Sequence, residues 1–246
     1  MRGQMNLLLS RRNVLKKTFA LSALSVTGVA GLAVPSVSFA ASLTKDERDK
    51  MTPDAVIEHF KQGNLRFREN RPLKHDYLAQ KRSSASGQFP AAVILSCIDS
   101  RAPAEIVLDT GIGETFNSRV AGNISNSDII GSMEFACAVA GAKLVLVMGH
   151  TACGAVKGAI DNAELGNLTG LLEKIKPAID KTDYAGERSA SNYDFVDAVA
   201  RQNVALTVEN IRQNSPVLKA LEQEKKIKIV GSMYHLVGGN VEFFDV

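Results

Sequence analysis

Two short apolar runs, "AAVIL" (Ala91 to Leu95) and "KLVLVMG" (Lys143 to Gly149), most restrict how this chain can fold. A strand with one wet face alternates polar and apolar residues; these runs do not, so each reads as a strand buried on both faces. Around them the spacing turns helical. "APAEIVLDTG" reads as a short helix, "ETFNSRVAG" as a strand, and "SDIIGSMEFACAVAG" and "CGAVKGAIDNA" as helices. Doubly buried strands separated by helices predict an α/β fold, with a mainly parallel central sheet flanked by helices. Further helices are predicted from Leu168 to Ile179, Tyr193 to Gln213 and Pro216 to Lys225. The chain then closes with "KIVGSMYHL", a "VGGN" turn and "VEFFDV", which predict a C-terminal antiparallel edge hairpin. On the N-terminal side, Thr52 and Pro53 form an N-cap and first-turn pair for a helix to about Asn70, and a polar loop is expected from Arg71 to Ser86.

Residues 1–40 follow a different logic. They hold Arg2, Arg11, Arg12, Lys16 and Lys17 and no acid, followed by an apolar stretch from Phe19 to Ala40. "SRRNVLK" (Ser10 to Lys16) resembles a bacterial twin-arginine export signal, and Ser38 and Ala40 supply the small residues of a cleavage site. The expectation is a signal peptide over 1–40, a single domain with a helical N-terminal arm over 41–246, and a periplasmic mature protein. Losing five positive charges and no acid takes the formal charge from +3 to −2, which removes the electrostatic support for nucleic-acid binding. No later run reaches the roughly 18 apolar residues of a spanning helix, so stable membrane insertion is not expected after signal removal.

An exported chain favours disulfides, yet Cys97, Cys137 and Cys153 are odd in number and lack framework spacing. Cys137, within an apolar helix, reads as a small core residue. The other two stand where a sheet delivers chemistry. Cys97 follows the first buried strand, His150 ends the second, and Cys153 opens the next helix. Parallel strands bind ligands beyond their carboxyl ends. Two thiolates and one imidazole there suit Zn²⁺ and leave a fourth position for water. Plain buried cysteines, or a Cys97–Cys153 disulfide in a redox protein, are the rival readings. Beside Cys97, Asp99 can ligate the fourth position itself or accept a hydrogen bond from bound water, and Arg101 can grip Asp99 by two parallel bonds.

"CIDSR" (Cys97 to Arg101) with "HTACG" (His150 to Gly154) resembles the C-x-D-x-R and H-x-x-C motifs of the β-class carbonic anhydrases. The likeness runs from about Thr52 to the C-terminus and includes "RVAGN" (Arg119 to Asn123) and "SMEFA" (Ser132 to Ala136). It implies the β-carbonic anhydrase fold, one zinc per chain on Cys97, His150 and Cys153, and an Asp99–Arg101 dyad that gates the fourth site. Asp99 would itself be a ligand only in a closed form. It further implies Gln88 as a donor to substrate, Phe116 and Ala121 as apolar pocket positions, Phe135 where many members carry tyrosine, and a Gly154 backbone N–H near the dyad. CO2 and bicarbonate would be the substrates and a homodimer or tetramer the assembly, with COS or CS2 as alternative substrates. The family's regulatory bicarbonate site uses a tryptophan, an arginine and a tyrosine; here the positions fall on Ile94, Arg119 and Tyr234, and the chain has no tryptophan. An open form without bicarbonate cooperativity is therefore expected. His59, His75 and His235 read as surface or packing residues. "GIGETF" lacks the third glycine and the lysine of a phosphate loop and reads as a turn.

Overall fold

The computed structural model describes residues 41–246, so the expected signal segment lies outside the described residues. Thr44 opens α1 (Lys45–Lys50) with a capping box: its hydroxyl accepts from the Glu47 N–H, and Glu47 accepts from the Thr44 N–H. Thr52 caps α2 (Pro53–Arg68), accepting the Ala55 N–H at 3.1 Å. The expected polar loop holds a helix instead, α3 (Tyr77–Ser84), whose cap is Asp76 accepting the Ala79 N–H at 2.9 Å. This helix is fastened by a polar side chain. Gln80 is fully buried, and its Oε1 accepts the Ile112 N–H at 3.0 Å. With no apolar stripe of its own, α3 escapes a hydropathy reading.

The remaining elements are β1 (Ala92–Ser96), α4 (Ala104–Val107), β2 (Thr115–Arg119), a 3₁₀ turn (Ala121–Asn123), α5 (Ser127–Glu134), β3 (Leu144–His150), α6 (Gly154–Ile160), α7 (Gly166–Glu173), α8 (Lys176–Lys181), α9 (Tyr193–Asn214), α10 (Pro216–Gln223), β4 (Lys228–Tyr234) and β5 (Val241–Phe244). α5 widens into a π turn over Phe135–Val139. The helix expected from Leu168 to Ile179 is broken in two, because Pro177 lacks a donor for a continuous helix and sits instead in the first turn of α8.

The sheet order is β2-β1-β3-β4-β5, parallel throughout except that β5 runs antiparallel to β4. β1 and β3 are buried at every position, as their unbroken apolar runs require. Their side chains alternate between two cores. Val93, Leu95, Cys97, Val145 and Val147 face one core with Val199, Ala200 and Val204 of α9. Ala92, Ile94, Leu144, Leu146 and Met148 face the other with Val56 and Phe60 of α2. Phe60 is 1% exposed, so this part of the arm packs on its own domain. His75 is a packing residue: its Nε2 lies 3.1 Å from Asp109 Oδ1, and Asp109 also takes Arg66 Nε at 2.6 Å. Among the described residues no helix is long and apolar enough to cross a membrane.

α2 approaches α4 through Gly63, where a built Cβ would stand 1.9 Å from the Leu108 carbonyl oxygen. The next residue, Asn64, donates from Nδ2 to the Val107 oxygen at 3.1 Å and the Gly239 oxygen at 2.8 Å, and accepts the Val241 N–H at 2.9 Å. Backbone cannot yield as a flexible side chain does. Gly63→Ala is therefore expected to destabilise the fold by about 1–3 kcal/mol, the range for overpacking. Urea unfolding checks this; an unchanged midpoint would mean that α2 can shift freely on α4.

Candidate metal centre

Strand pairing explains why three distant side chains meet. β1 and β3 are parallel neighbours, with Ser96 opposite Met148. From β1 the chain goes to β2 on one side, while β3 lies on the other, so the winding reverses between β1 and β3. The carboxyl edge at such a reversal is where open α/β sheets leave a crevice. Cys97 follows β1, His150 ends β3, and Cys153 is the residue before α6. The reversal from His150 to Cys153 passes through Ala152 at φ +53°, a left-handed conformation that strains a non-glycine residue.

One ligand-type atom from each of Cys97, His150 and Cys153 lies within 4.8 Å of the other two. All three residues are buried, at 4%, 1% and 1% exposure, and the cysteines are free thiols. His150 Nδ1 lies 2.9 Å from the Thr151 carbonyl oxygen, so Nδ1 carries the proton and Nε2 offers a lone pair. That Nε2 is buried and has no hydrogen-bond partner. An orphaned acceptor costs about 1–3 kcal/mol, and a metal ion relieves the cost. The Cys97 thiol is held well below its ordinary range, chiefly by the Cys153 thiol hydrogen bond, with His150 and the Gly122 N–H assisting against burial, while the same bond and burial push the Cys153 thiol up, so the metal-free pair holds one thiolate and one thiol. A thiolate is the form a metal requires. The donor set thus fits zinc.

Asp99 and Arg101 are locked together beside these ligands. Arg101 donates from Nε to Asp99 Oδ1 at 2.9 Å and from Nη2 to Oδ2 at 2.8 Å, and its backbone N–H meets Oδ1 at 2.9 Å. The Arg101 hydrogen bond is the main reason the Asp99 carboxyl sits far below the usual carboxylate range. Asp99 Oδ2 is 3.8 Å from His150 Nε2. Arg119 donates to the Cys97 carbonyl at 2.9 Å and the Asp99 carbonyl at 2.6 Å, so its guanidinium braces the loop between them. Ile94 and Tyr234 lie in the core on the opposite face of the sheet from Cys97.

The remaining residues singled out by sequence are placed less tightly. The Phe116 and Phe135 rings meet edge to face at 6.1 Å, and Phe135 is half exposed. Ala121 starts the 3₁₀ turn whose next residue, Gly122, donates its N–H to Cys97 Sγ at 3.4 Å. Gly154, exposed, follows Cys153 at the start of α6, and Gln88 is exposed in the segment before β1. Cys137 is buried in the core, and burial pushes its thiol up to about 12. Two residues at the centre carried no signal in the sequence. Asp197 Oδ1 accepts the Ala152 N–H at 2.7 Å, and Asn203 Nδ2 donates to the Gly122 carbonyl at 2.7 Å; both lie on α9.

Fold and centre together define a class: α/β metalloproteins with one zinc-type Cys2His set at the carboxyl edge of a mainly parallel sheet. The family model described as "Carbonic anhydrase" matches residues 92–241, and the chain belongs to that family. Over 196 residues it is 35% identical to the carbonic anhydrase of Mycolicibacterium smegmatis, covering 77% of this chain and 92% of the relative. Carbonic anhydrase 2 of Mycobacterium tuberculosis is 33% identical over 199 residues, covering 78% and 93%. Among solved structures, the β-carbonic anhydrase CafA of Aspergillus fumigatus matches with a TM-score of 0.61 at 25% identity, over 78% of this chain and 89% of that one. Tetrameric β-carbonic anhydrases of Sordaria macrospora match with a TM-score of 0.58 at 25% identity, over 66% and 84%.

Proposed function

We propose that this protein is a zinc-dependent carbonic anhydrase that interconverts CO2 with bicarbonate and a proton. The observation that carries the reading is the buried, unpartnered His150 Nε2 facing two thiols beside an arginine-held carboxylate. Cys97, His150 and Cys153 would hold the zinc, which when bound supplies a Lewis acid that makes water a nucleophile at neutral pH. Asp99, kept ionised by Arg101, would be the hydrogen-bond acceptor for a water activated there. Its two bonds to Arg101 would hold that carboxylate back from a bound zinc. Phe116, Phe135 and Ala121 give an apolar wall suited to an uncharged substrate, and Gln88 is assigned the donor role by resemblance. Ile94 is apolar and Arg119 is engaged with the Cys97 loop, which supports a form without a regulatory bicarbonate. A homodimer or tetramer is the assembly proposed.

Zinc analysis together with stopped-flow CO2 hydration tests the function. About one zinc per chain and metal-dependent hydration are expected. A chain that binds zinc without hydrating CO2 overturns the enzymatic reading, and one that binds no zinc overturns both.

Residues 41–246 form the mature domain in this reading, and residues 1–40 the twin-arginine signal that delivers it to the periplasm. Replacing Arg11 and Arg12 together by Lys is expected to leave uncleaved precursor in the cytoplasm. Fractionation with an antibody to the mature domain reads the result, and undiminished periplasmic protein would refute the export route.

A further inference from the structure

Three backbone points around the centre are reached by one helix. α9 packs on β3 at Gly149, the residue before His150, where a built Cβ would meet Val204 Cγ2 at 2.6 Å and Met233 Sδ at 2.8 Å. From the same helix Asp197 accepts the Ala152 N–H at 2.7 Å, inside the reversal that joins His150 to Cys153. Asn203 donates to the Gly122 carbonyl at 2.7 Å, and the Gly122 N–H points at Cys97 Sγ at 3.4 Å. The two side chains are separated by about 9 Å of helix rise. They grip the loops that carry different ligands.

Both gripped residues lie in the left-handed region, Ala152 at φ +53° and Gly122 at φ +65°. Ala152 has a Cβ and is strained there, so its N–H must be fixed from outside for Cys153 to return toward His150. At Gly122 a Cβ would stand 2.6 Å from Ile175 Cδ1 in a left-handed conformation, so a larger residue there would be strained and would displace Ile175. Asn203 is 3% exposed, so its bond to the Gly122 carbonyl is made out of water.

We propose that α9 is the template of the metal centre, with Asp197 and Asn203 as positioning residues: Asp197 sets the His150–Cys153 reversal and Asn203 sets the Gly122 N–H against the Cys97 sulfur. This rests on the zinc reading above and assigns no contact with substrate to either residue. The atom that matters differs between them. At Asp197 it is an acceptor oxygen, which Asn also carries. At Asn203 it is a donor N–H, which Asp lacks despite its equal size.

The test is zinc affinity by competition with a chromophoric chelator, with the visible absorption of the Co²⁺-substituted protein as a second readout of ligand geometry. Asp197→Ala and Asn203→Asp are expected to weaken zinc binding about 10- to 100-fold, the usual loss when a supporting partner is removed. Asp197→Asn is expected to stay within a few-fold of wild type. Thr207→Val, on the same helix, loses only a long 3.4 Å bond to the Asn123 carbonyl and is expected to bind zinc as wild type does. Folded Asp197→Ala and Asn203→Asp proteins with wild-type affinity and an unchanged Co²⁺ spectrum would overturn the proposal. If Asp197→Ala does not fold, Asp197→Asn and Asn203→Asp decide: equal affinities overturn it, and a loss confined to Asn203→Asp supports it. Failure of the wild-type protein to bind zinc would sink the functional reading instead, a result none of the variants can mimic.

Discussion

Cys153→Ala is expected to abolish zinc binding and CO2 hydration together, leaving only the uncatalysed rate. A catalytic zinc site takes three protein ligands and keeps one position open, and without Cys153 only Cys97 and His150 remain of the set. The substitution should leave the fold in place. Cys153 belongs to the large core on the α9 side of the sheet, which also holds Val147 and Val156, and Ala keeps its Cβ there. Elemental analysis, stopped-flow hydration and far-UV circular dichroism on the same preparation separate these effects. An active, zinc-replete Cys153→Ala protein would show that the ligand set is wrong.

Arg101→Ala is expected to give the next largest effect, lowering turnover about 10- to 100-fold with zinc retained. Its guanidinium makes two parallel bonds to Asp99 and touches none of the ligand-type atoms. The pH dependence has a defined sign. Asp99 is depressed mainly by Arg101, so in the wild-type protein it stays ionised throughout the working range. Without Arg101 its pKa rises toward the ordinary carboxylate range, and activity is lost as pH falls through the new value. The freed carboxylate also lies 3.8 Å from His150 Nε2, near enough to compete for the metal. Wild-type kcat/KM should follow one ordinary titration near neutrality, unaltered in steepness by bicarbonate. Turnover unchanged in Arg101→Ala would remove the gating role.

The parts of this fold that are legible in the sequence are those where one physical demand dominates. β1 and β3 are buried on both faces, so their continuous apolar runs have no competing reading. Thr52 followed by Pro53 marks the start of α2 because a side-chain cap and a fixed φ act at adjacent positions. α1 has a signal, the Thr44–Glu47 capping box, but its short polar sequence has no apolar stripe to support it. α3 is fastened by Gln80, and hydropathy has no means of marking a polar anchor. The three ligand-type residues stand out because each sits at a strand end or just beyond one. Asp197 and Asn203 do not, since polar residues on a long helix look alike whether they face water or a loop. The Gly122 donor is backbone and leaves no side-chain trace.

The alternation of β1 and β3 between two cores has a consequence for folding fidelity. Strand side chains repeat every two residues, so a slip of β1 by one position exchanges its faces. Cys97 would then turn toward the core that holds Ile94 and Tyr234, and Ile98, 61% exposed in the native chain, would be driven inward. Such a chain could still bury apolar strands, but it could no longer gather two sulfurs and an imidazole at one edge. Metal uptake therefore discriminates between two packings that hydrophobic burial alone separates poorly, and the zinc-loaded fraction of a preparation counts the molecules whose sheet closed in the correct register.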